Sequence, residues 1–266
     1  MKSCPICDRS MPFAFSEKIL KKYVISYFYC KYCNFVQTEK PYWLDEAYNN
    51  PIADSDTGLI QRNISLSSRL AVLIALNFDL QGSYLDIAGG YGILTRLMRD
   101  DGFNYFWQDP YCQNVFALGF EGSKSEHGYD AITAFEVLEH VEDPVGFIQN
   151  AMLENNSKTI IFSTECFSAE APPNSDWWYY SFSTGQHISF FSSRALQEIS
   201  QKLHLYFYSF NGLHILSKYP LKYPTLSRVF TKRYLSSIFT FFLNRLLNSK
   251  TLSDSQLNLH KPASPE

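Results

Sequence analysis

An α/β fold built on a parallel sheet, with a small cysteine-bearing module ahead of it and a helical tail behind, is what this sequence predicts. Three observations carry the prediction. Between Ser83 and Phe210, apolar runs of strand length alternate with segments of helical period, the pattern of strands joined by crossover helices. The first of those runs ends in a glycine-rich turn, Ala88-Gly89-Gly90-Tyr91-Gly92. Two Cys-x-x-Cys pairs lie within the first 33 residues.

At 266 residues, the chain is long enough for one large domain with small attachments. Its 45% hydrophobic and 17% aromatic content excludes a disordered or collagen-like protein. A net charge of −3 gives no overall drive toward nucleic acid or anionic lipid. No run of about 18 uninterrupted apolar residues occurs, and Met1-Lys2-Ser3-Cys4-Pro5 lacks the apolar segment of a signal peptide, so the expectation is a soluble, cytoplasmic chain with reduced thiols.

In chain order, residues 1–42 read as a zinc-ribbon-like module, with Tyr23, Val24, Ile25, Tyr27, Phe28 and Tyr29 favouring strands between the cysteine pairs. Residues 43–80 read as a connecting or lid helix, since Leu66, Leu70, Leu73, Ile74 and Phe78 recur at three- and four-residue spacing. The largest part, 81–217, reads as strand 83–88, helix 92–101 stopped at Gly102, strand 104–108, short helix 111–118, strand 129–135, helix 144–153 and strand 158–163. A long insert at 165–186, with Pro172, Pro173 and the cluster Trp177-Trp178-Tyr179-Tyr180, precedes a helix capped at Ser192 or Ser193 and strands at 204–210 and 213–217. Residues 218–266 form a basic amphipathic tail. Lys202, Lys218, Lys222, Arg228, Lys232, Arg233, Arg245 and Lys250 meet no acid between Glu198 and Asp254, which leaves −11 on the rest of the chain.

Cys4, Cys7, Cys30 and Cys33 form two pairs separated by 22 residues. Four thiolates at about 2.3 Å close a tetrahedral zinc site with no open position, so the site is structural. Cys112 and Cys166 stand alone and are assigned to packing.

The turn at 88–92 follows a strand and opens a helix, which frees backbone N–H groups for an anionic group. Asp109, 17 residues beyond Gly92 at the end of the next strand, is placed to take two ribose hydroxyls. A dinucleotide is disfavoured, because the third glycine of Gly-x-Gly-x-x-Gly is missing and Asp86 puts a carboxylate where pyrophosphate would lie.

Leu85 to Gly92, Asp109, and the run Tyr129 to Val141 with Phe135-Glu136 and Glu139-His140 together resemble class I S-adenosylmethionine-dependent methyltransferases. The resemblance covers about 83–217. It implies a seven-stranded Rossmann-like sheet with a reversed last strand, and S-adenosyl-L-methionine as cofactor. It further implies that Asp86, Ala88, Gly89, Gly90 and Gly92, together with Phe135 and Glu136, surround the cofactor, that Asp109 binds its ribose, and that Phe120 and Glu121 lie by the adenine. Ala88 departs from the pattern, standing where a glycine is usual.

Methyl transfer is an in-line displacement governed by positioning and desolvation, though a hydroxyl acceptor benefits from a base. His140 and His187 are the candidates, because a neutral imidazole can accept the proton; packing or capping is the alternative for each. Trp177, Trp178, Tyr179 and Tyr180 offer flat faces to a sugar or a base, with Gln186 as a hydrogen-bonding partner. Cys30-Lys31-Tyr32-Cys33-Asn34-Phe35-Val36-Gln37-Thr38 is similar to the zinc-bearing start of bacterial sugar methyltransferases, which implies a nucleotide-sugar or surface-glycan acceptor. Only about 50 residues follow the sheet, so a short O- or N-methyltransferase relative is expected rather than the sugar C-methyltransferase branch. Two other classes stay open: a zinc-ribbon RNA methyltransferase, weakened by the −11 outside the tail, and a non-catalytic cofactor-binding protein, suggested by Ala88. In the tail, Leu235, Ile238, Phe239, Phe242 and Leu246 share a helical face near Lys232, Arg233 and Arg245, which suits either packing on the domain or peripheral contact with the inner membrane surface.

Overall fold

The computed structural model describes residues 2–49, 57–122, 128–168 and 171–259. Residues 50–56 of the expected connecting segment and 260–266 of the tail lie outside them. The N-terminal part contains β1 (Lys2–Ser3), β2 (Ser10–Met11), β3 (Phe13–Ile19), β4 (Tyr23–Cys30), β5 (Phe35–Thr38), α1 (Leu44–Ala47) and α2 (Leu59–Asn77). There follow β6 (Ser83–Asp86), α3 (Ile93–Asp100), β7 (Asn104–Trp107), β8 (Ala131–Ala134), α4 (Pro144–Glu154), β9 (Thr159–Phe162), β10 (Cys166–Phe167), β11 (Ser189–Ser192), α5 (Ser193–Lys202), β12 (Tyr206–Phe210) and β13 (Leu213–Ser217). The tail contributes α6 (Pro224–Phe230), α7 (Arg233–Leu243) and α8 (Thr251–Leu259). Short 3-10 turns lie at Leu138–His140 and Trp178–Tyr180.

The chain forms two compact units, the first from Met1–Ser55, Ala134–Glu154 and Thr159–Pro220, the second from Asp56–Thr133, Asn155–Lys158 and Leu221–Glu266. In the first unit a five-stranded sheet runs β10-β11-β5-β4-β3. Here the structure departs from the sequence reading of residues 1–42 as a small separate module. β5 pairs antiparallel with β11 through Gln37 opposite Ser189 and Val36 opposite Phe190, so the cysteine segment is one side of a larger sheet. The pairing is driven by the core it closes, where Ile25, Tyr27, Val36, Trp43, Tyr179, Tyr180, Ile188 and Phe190 are buried together. Ser192 caps α5 by accepting the Ala195 N–H at 3.1 Å, as its position before a helical run requires. β13 lies antiparallel to β9 and β12 antiparallel to β13, the reversed last strand expected.

In the second unit β6 pairs in parallel with β7 on one side and with β8 on the other. Among the described residues this unit holds the strand order β7-β6-β8 and the first unit holds β12-β13-β9; the expected seventh strand is not among them. The helix expected at 111–118 is replaced by turns. Its backbone groups find other partners: Asp109 Oδ1 accepts the N–H groups of Tyr111 and Cys112, Asn114 Oδ1 accepts that of Ala117, and Tyr91 O accepts those of Val115 and Phe116. With those donors taken, no i to i−4 ladder forms.

Helix α2 is long and apolar enough by length and composition to cross a membrane; 39% of that stretch is buried, with Leu70, Ala71, Val72, Leu73 and Ile74 fully so. The tail helices pack in the same unit. Asp254 of α8 receives Arg99 through two bonds of 2.7 Å and Arg96 at 3.0 Å, a buried pairing that fixes α8 on α3.

Candidate active site

The glycine turn of the second unit is shaped by what a side chain would hit. A Cβ on Gly89 would lie 2.4 Å from Trp107 Cδ1, so glycine alone fits there. Gly92 has φ of 85° and caps α3, whose N-terminus carries no side-chain cap. A Cβ there would also meet Asn114 Oδ1 at 2.9 Å. Ala88 is outside the positive-φ residues, so its methyl strains nothing in the backbone. Trp107 Nε1 donates to Gly90 O at 2.9 Å, and Gly90 N donates to Asp109 Oδ2 at 2.9 Å. Asp109 therefore braces the loop as well as standing at the end of β7; three N–H groups occupy its carboxylate, which leaves a lone pair for one further donor.

Asp86 is buried at the end of β6 and accepts from Thr133 Oγ1 at 2.9 Å. Burial pushes its carboxyl up to about 7, Asp109 adds repulsion, and the Thr133 hydrogen bond offsets part of this. A buried acid so placed fits a cationic ligand group, whose charge would restore the ionised form. Phe120 is buried beneath the Arg99 guanidinium, 3.5 Å from its ring centroid, and Glu121 Oε1 accepts from Asn114 Nδ2 at 2.8 Å. Phe120 is thus a packing residue that holds its turn, and Glu121 fixes the 114–119 loop.

A second constellation lies wholly in the first unit. Ile188 N donates to Glu139 O at 2.8 Å, Ser189 Oγ to Val141 O at 2.6 Å and Gln37 Nε2 to Glu142 O at 2.7 Å, so β11 and β5 fix the segment 139–142. On it, the His140 ring lies 4.9 Å from that of His187, centroid to centroid, at 86°. His140 Nδ1 pairs with Gln186 O at 3.1 Å and His187 Nδ1 with Tyr179 O at 2.7 Å. A carbonyl only accepts, so each Nδ1 carries the proton and each Nε2 keeps its lone pair. Burial lowers the two rings to about 3 and about 4, His187 repelling charge on His140, so both are neutral near pH 7.

Glu139, fully buried beside them, is the residue the sequence reading left without a role. Neither carboxylate oxygen has a hydrogen-bond partner among the described residues. Burial first and the Glu136 charge second raise it to about 8, while the Tyr179 and Thr164 hydroxyls, 3.1 Å apart, pull slightly the other way. The signal in the sequence was a carboxylate next to His140, which spacing alone does not separate from a surface acid. Glu136, with φ of 55°, is held by Ser163, whose Oγ donates to Oε1 at 2.5 Å and accepts the Glu136 N–H at 3.0 Å; Phe135 before it is half-buried.

The aromatic insert divides. Trp178 is 73% exposed, whereas Tyr179 and Tyr180 are buried and Trp177 half-buried. Tyr180 stacks on Phe182 at 5.2 Å and donates to Pro173 O, which makes it core rather than pocket wall. Tyr179 links Trp178, 5.2 Å away, to His187, 4.7 Å away. Gln186 donates through Nε2 to Ala47 O at 2.9 Å and so anchors α1 to the insert.

The cysteine quartet also lies in the first unit. All four sulfurs fall within 4.8 Å of one another, with Cys4 to Cys33 at 3.6 Å and Cys7 to Cys30 at 3.5 Å. A tetrahedron with bonds of about 2.3 Å has edges of about 3.8 Å, so the donor set fits zinc. Each pair turns alike: Asp8 N donates to Cys4 O and Asn34 N to Cys30 O, with Asp8 and Asn34 at φ of 60° and 55°. Lys202 Nζ donates to Ile6 O and Asp8 Oδ2, and Ser192 Oγ to Cys33 O, so α5 and β11 hold both turns.

Residues 60–207 match a family model described as a methyltransferase domain. Among solved structures, the chain is similar to TnmH (15% identity, TM-score 0.46, covering 66% of this chain and 60% of that one). It is also similar to human N-acetylserotonin methyltransferase in complex with SAM (11%, 0.41, 67% and 66%). A third is Burkholderia thailandensis 1,6-didemethyltoxoflavin-N1-methyltransferase with bound 1,6-didemethyltoxoflavin and S-adenosylhomocysteine (14%, 0.45, 76% and 96%). The chain spans about three-fifths of the length of TnmH. No curated protein sequence matches it significantly.

Proposed function

The chain belongs to the methyltransferase-domain family, and from that premise we propose that it is an S-adenosylmethionine-dependent methyltransferase acting on a hydroxyl or amine of a sugar, nucleotide-sugar or surface-glycan precursor. The observation that carries the acceptor class is the exposed Trp178 indole, leading through Tyr179 to the paired imidazoles. An indole face suits the C–H side of a sugar ring, and the imidazole Nε2 atoms suit its hydroxyls.

When bound, S-adenosylmethionine supplies an electrophilic methyl group on a sulfonium. Gly89, Gly90 and Gly92 keep the backbone bare at the start of α3, Asp86 offers its buried negative charge to the cationic end, and Asp109 keeps one acceptor position for the ribose. His140 and His187 stay neutral and orient an acceptor hydroxyl as hydrogen-bond acceptors. Labelled-methyl transfer, with nucleotide-sugar and glycan extracts compared against RNA, tests the reading. Label in the sugar fraction supports it, and label in RNA alone overturns it.

The reading includes one structural zinc ion at Cys4, Cys7, Cys30 and Cys33, supported by the convergence of the four sulfurs. Metal analysis of protein purified without chelator is expected to give one zinc per chain at that site; a value near zero removes it. It also includes peripheral contact of the tail with an anionic leaflet, supported by Tyr234, Ile238, Phe241, Phe242 and Leu246, all exposed beside Arg233 and Arg245.

A further inference from the structure

We propose that Glu139, His140 and His187 form a second metal site, a two-histidine, one-carboxylate centre for a divalent first-row transition ion, separate from the cysteine quartet. One ligand atom from each residue lies within 4.8 Å of the others. Adjacent ligands around a single ion with bonds of about 2.1 Å are roughly 3 to 3.5 Å apart, so small side-chain adjustments close the set.

Three features of the unit prepare these side chains for an ion. Both Nδ1 atoms are tied to backbone carbonyls, of Gln186 and Tyr179, the arrangement that turns the Nε2 lone pair of a ligating histidine outward. The Glu139 carboxyl is fully buried, and beside the Tyr179 and Thr164 hydroxyls neither of its oxygens has a hydrogen-bond partner of good geometry among the described residues, so its ionised form is expensive there unless a cation completes it. The two imidazoles are half-buried, so neither residue is wholly enclosed by the core. Glu136, held by Ser163 and close enough to repel Glu139, adds negative potential.

Three protein ligands leave positions open on the ion, the mark of a catalytic rather than a structural centre. Two nitrogens and one carboxylate favour manganese, iron, cobalt or zinc over magnesium or calcium, which prefer all-oxygen sets. The role of the ion rests on the methyl-transfer reading and replaces the direct imidazole hydrogen bonds in it: with both Nε2 lone pairs on the ion, the ion itself would bind the acceptor hydroxyl and ease loss of its proton to water. The oxygen pair then forms the O–C bond as the C–S bond breaks, its electrons returning to sulfur, with one proton released per turnover.

The test uses the full-length protein with its cysteine ion in place, and Mn²⁺ as probe because a hard ion does not displace zinc from four thiolates. Loss of the free Mn²⁺ resonance signal on titration is expected to count one site per chain. Glu139→Gln and His187→Gln are expected to weaken it tenfold or more, with zinc content and melting temperature held. A wild-type chain that takes up no Mn²⁺ or Co²⁺ beyond the cysteine ion overturns the site, whatever the variants do. Wild-type affinity in both folded variants overturns it equally. The role is read separately: Mn²⁺ uptake with methyl transfer equally fast in the ion-free protein keeps the site and removes its part in catalysis, whereas absent transfer with intact uptake counts against the methyl-transfer reading alone.

Discussion

Asp86 shows how a single buried charge ties cofactor recognition to stability. Its carboxyl stands near 7 when free, against about 4 in an unfolded chain. An acid with a raised folded value holds its proton longer in the native state, so its contribution to stability declines as pH rises from 4 to 7 and stays lost above that. Asp86→Asn keeps the bond from Thr133 and removes the charge. The variant is expected to melt higher than wild type at pH 8 and alike at pH 4, while S-adenosylhomocysteine raises its melting temperature much less. In the wild type, cofactor affinity is expected to fall as pH drops through about 7, measured by titration calorimetry; an affinity flat from pH 6 to 8 would contradict this role for Asp86. The histidines predict no slope of their own. With both rings near 3 to 4, their protonation adds no change to turnover measured at saturating cofactor between pH 8 and 5. Trp178→Ala is expected to raise the acceptor KM several-fold with cofactor affinity unchanged, since its exposed ring supports nothing in the core. Tyr180→Ala, by contrast, is expected to cost roughly 3 kcal/mol of stability by emptying a buried aromatic site.

At the scale of elements, α7 packs with the less apolar of its faces inward. Ser236, Thr240 and Leu243 are buried, Thr240 Oγ1 donating to Ser68 O of α2, while Ile238, Phe241 and Phe242 are exposed. Leu235 and Phe239 are half-buried, so the face expected from Leu235, Ile238, Phe239, Phe242 and Leu246 is split. Small residues allow close approach of α7 to α2, and the larger apolar side chains are left outside beside Arg233 and Arg245. Phe241→Ser with Phe242→Ser is expected to abolish sedimentation with anionic vesicles at low salt without lowering the melting temperature. Sedimentation equal to wild type would take the tail out of the functional account. Point changes are preferable to truncation, because removing α8 would strip the buried Arg99 guanidinium of Asp254, its carboxylate partner.

For the whole molecule, the two units make separable predictions about where stability resides. The cysteine turns are tied to β11 and α5 by Ser192 and Lys202, and β11 in turn holds the segment bearing Glu139 and His140. Cys30→Ser is therefore expected to release zinc, to cost several kcal/mol, and to lower amide protection in β3–β5, β10 and β11. Amides of β6, β7 and α3 in the second unit are expected to keep theirs. Uniform loss of protection across both units, read by hydrogen exchange, would show that the metal stabilises the chain as one cooperative body.

The sequence by itself determined whatever depends on neighbours along the chain. Cysteine spacing gave two like turns, the strand-glycine-helix order gave the bare loop before α3, and the acid after the next strand gave Asp109, because turns and caps are closed by residues a few positions apart. Only the tertiary structure decided which groups meet across the fold. A helical period in α7 defines two faces but not which is covered, and that was settled by how closely Ser236 and Thr240 let it approach α2. The run Trp177 to Tyr180 announces aromatic surface, but the 3-10 turn at its centre separates an exposed indole from buried phenols. The isolation of Glu139 depends on what fails to reach it through space. Desolvation is summed over every element packed around a group, and no local spacing encodes that sum.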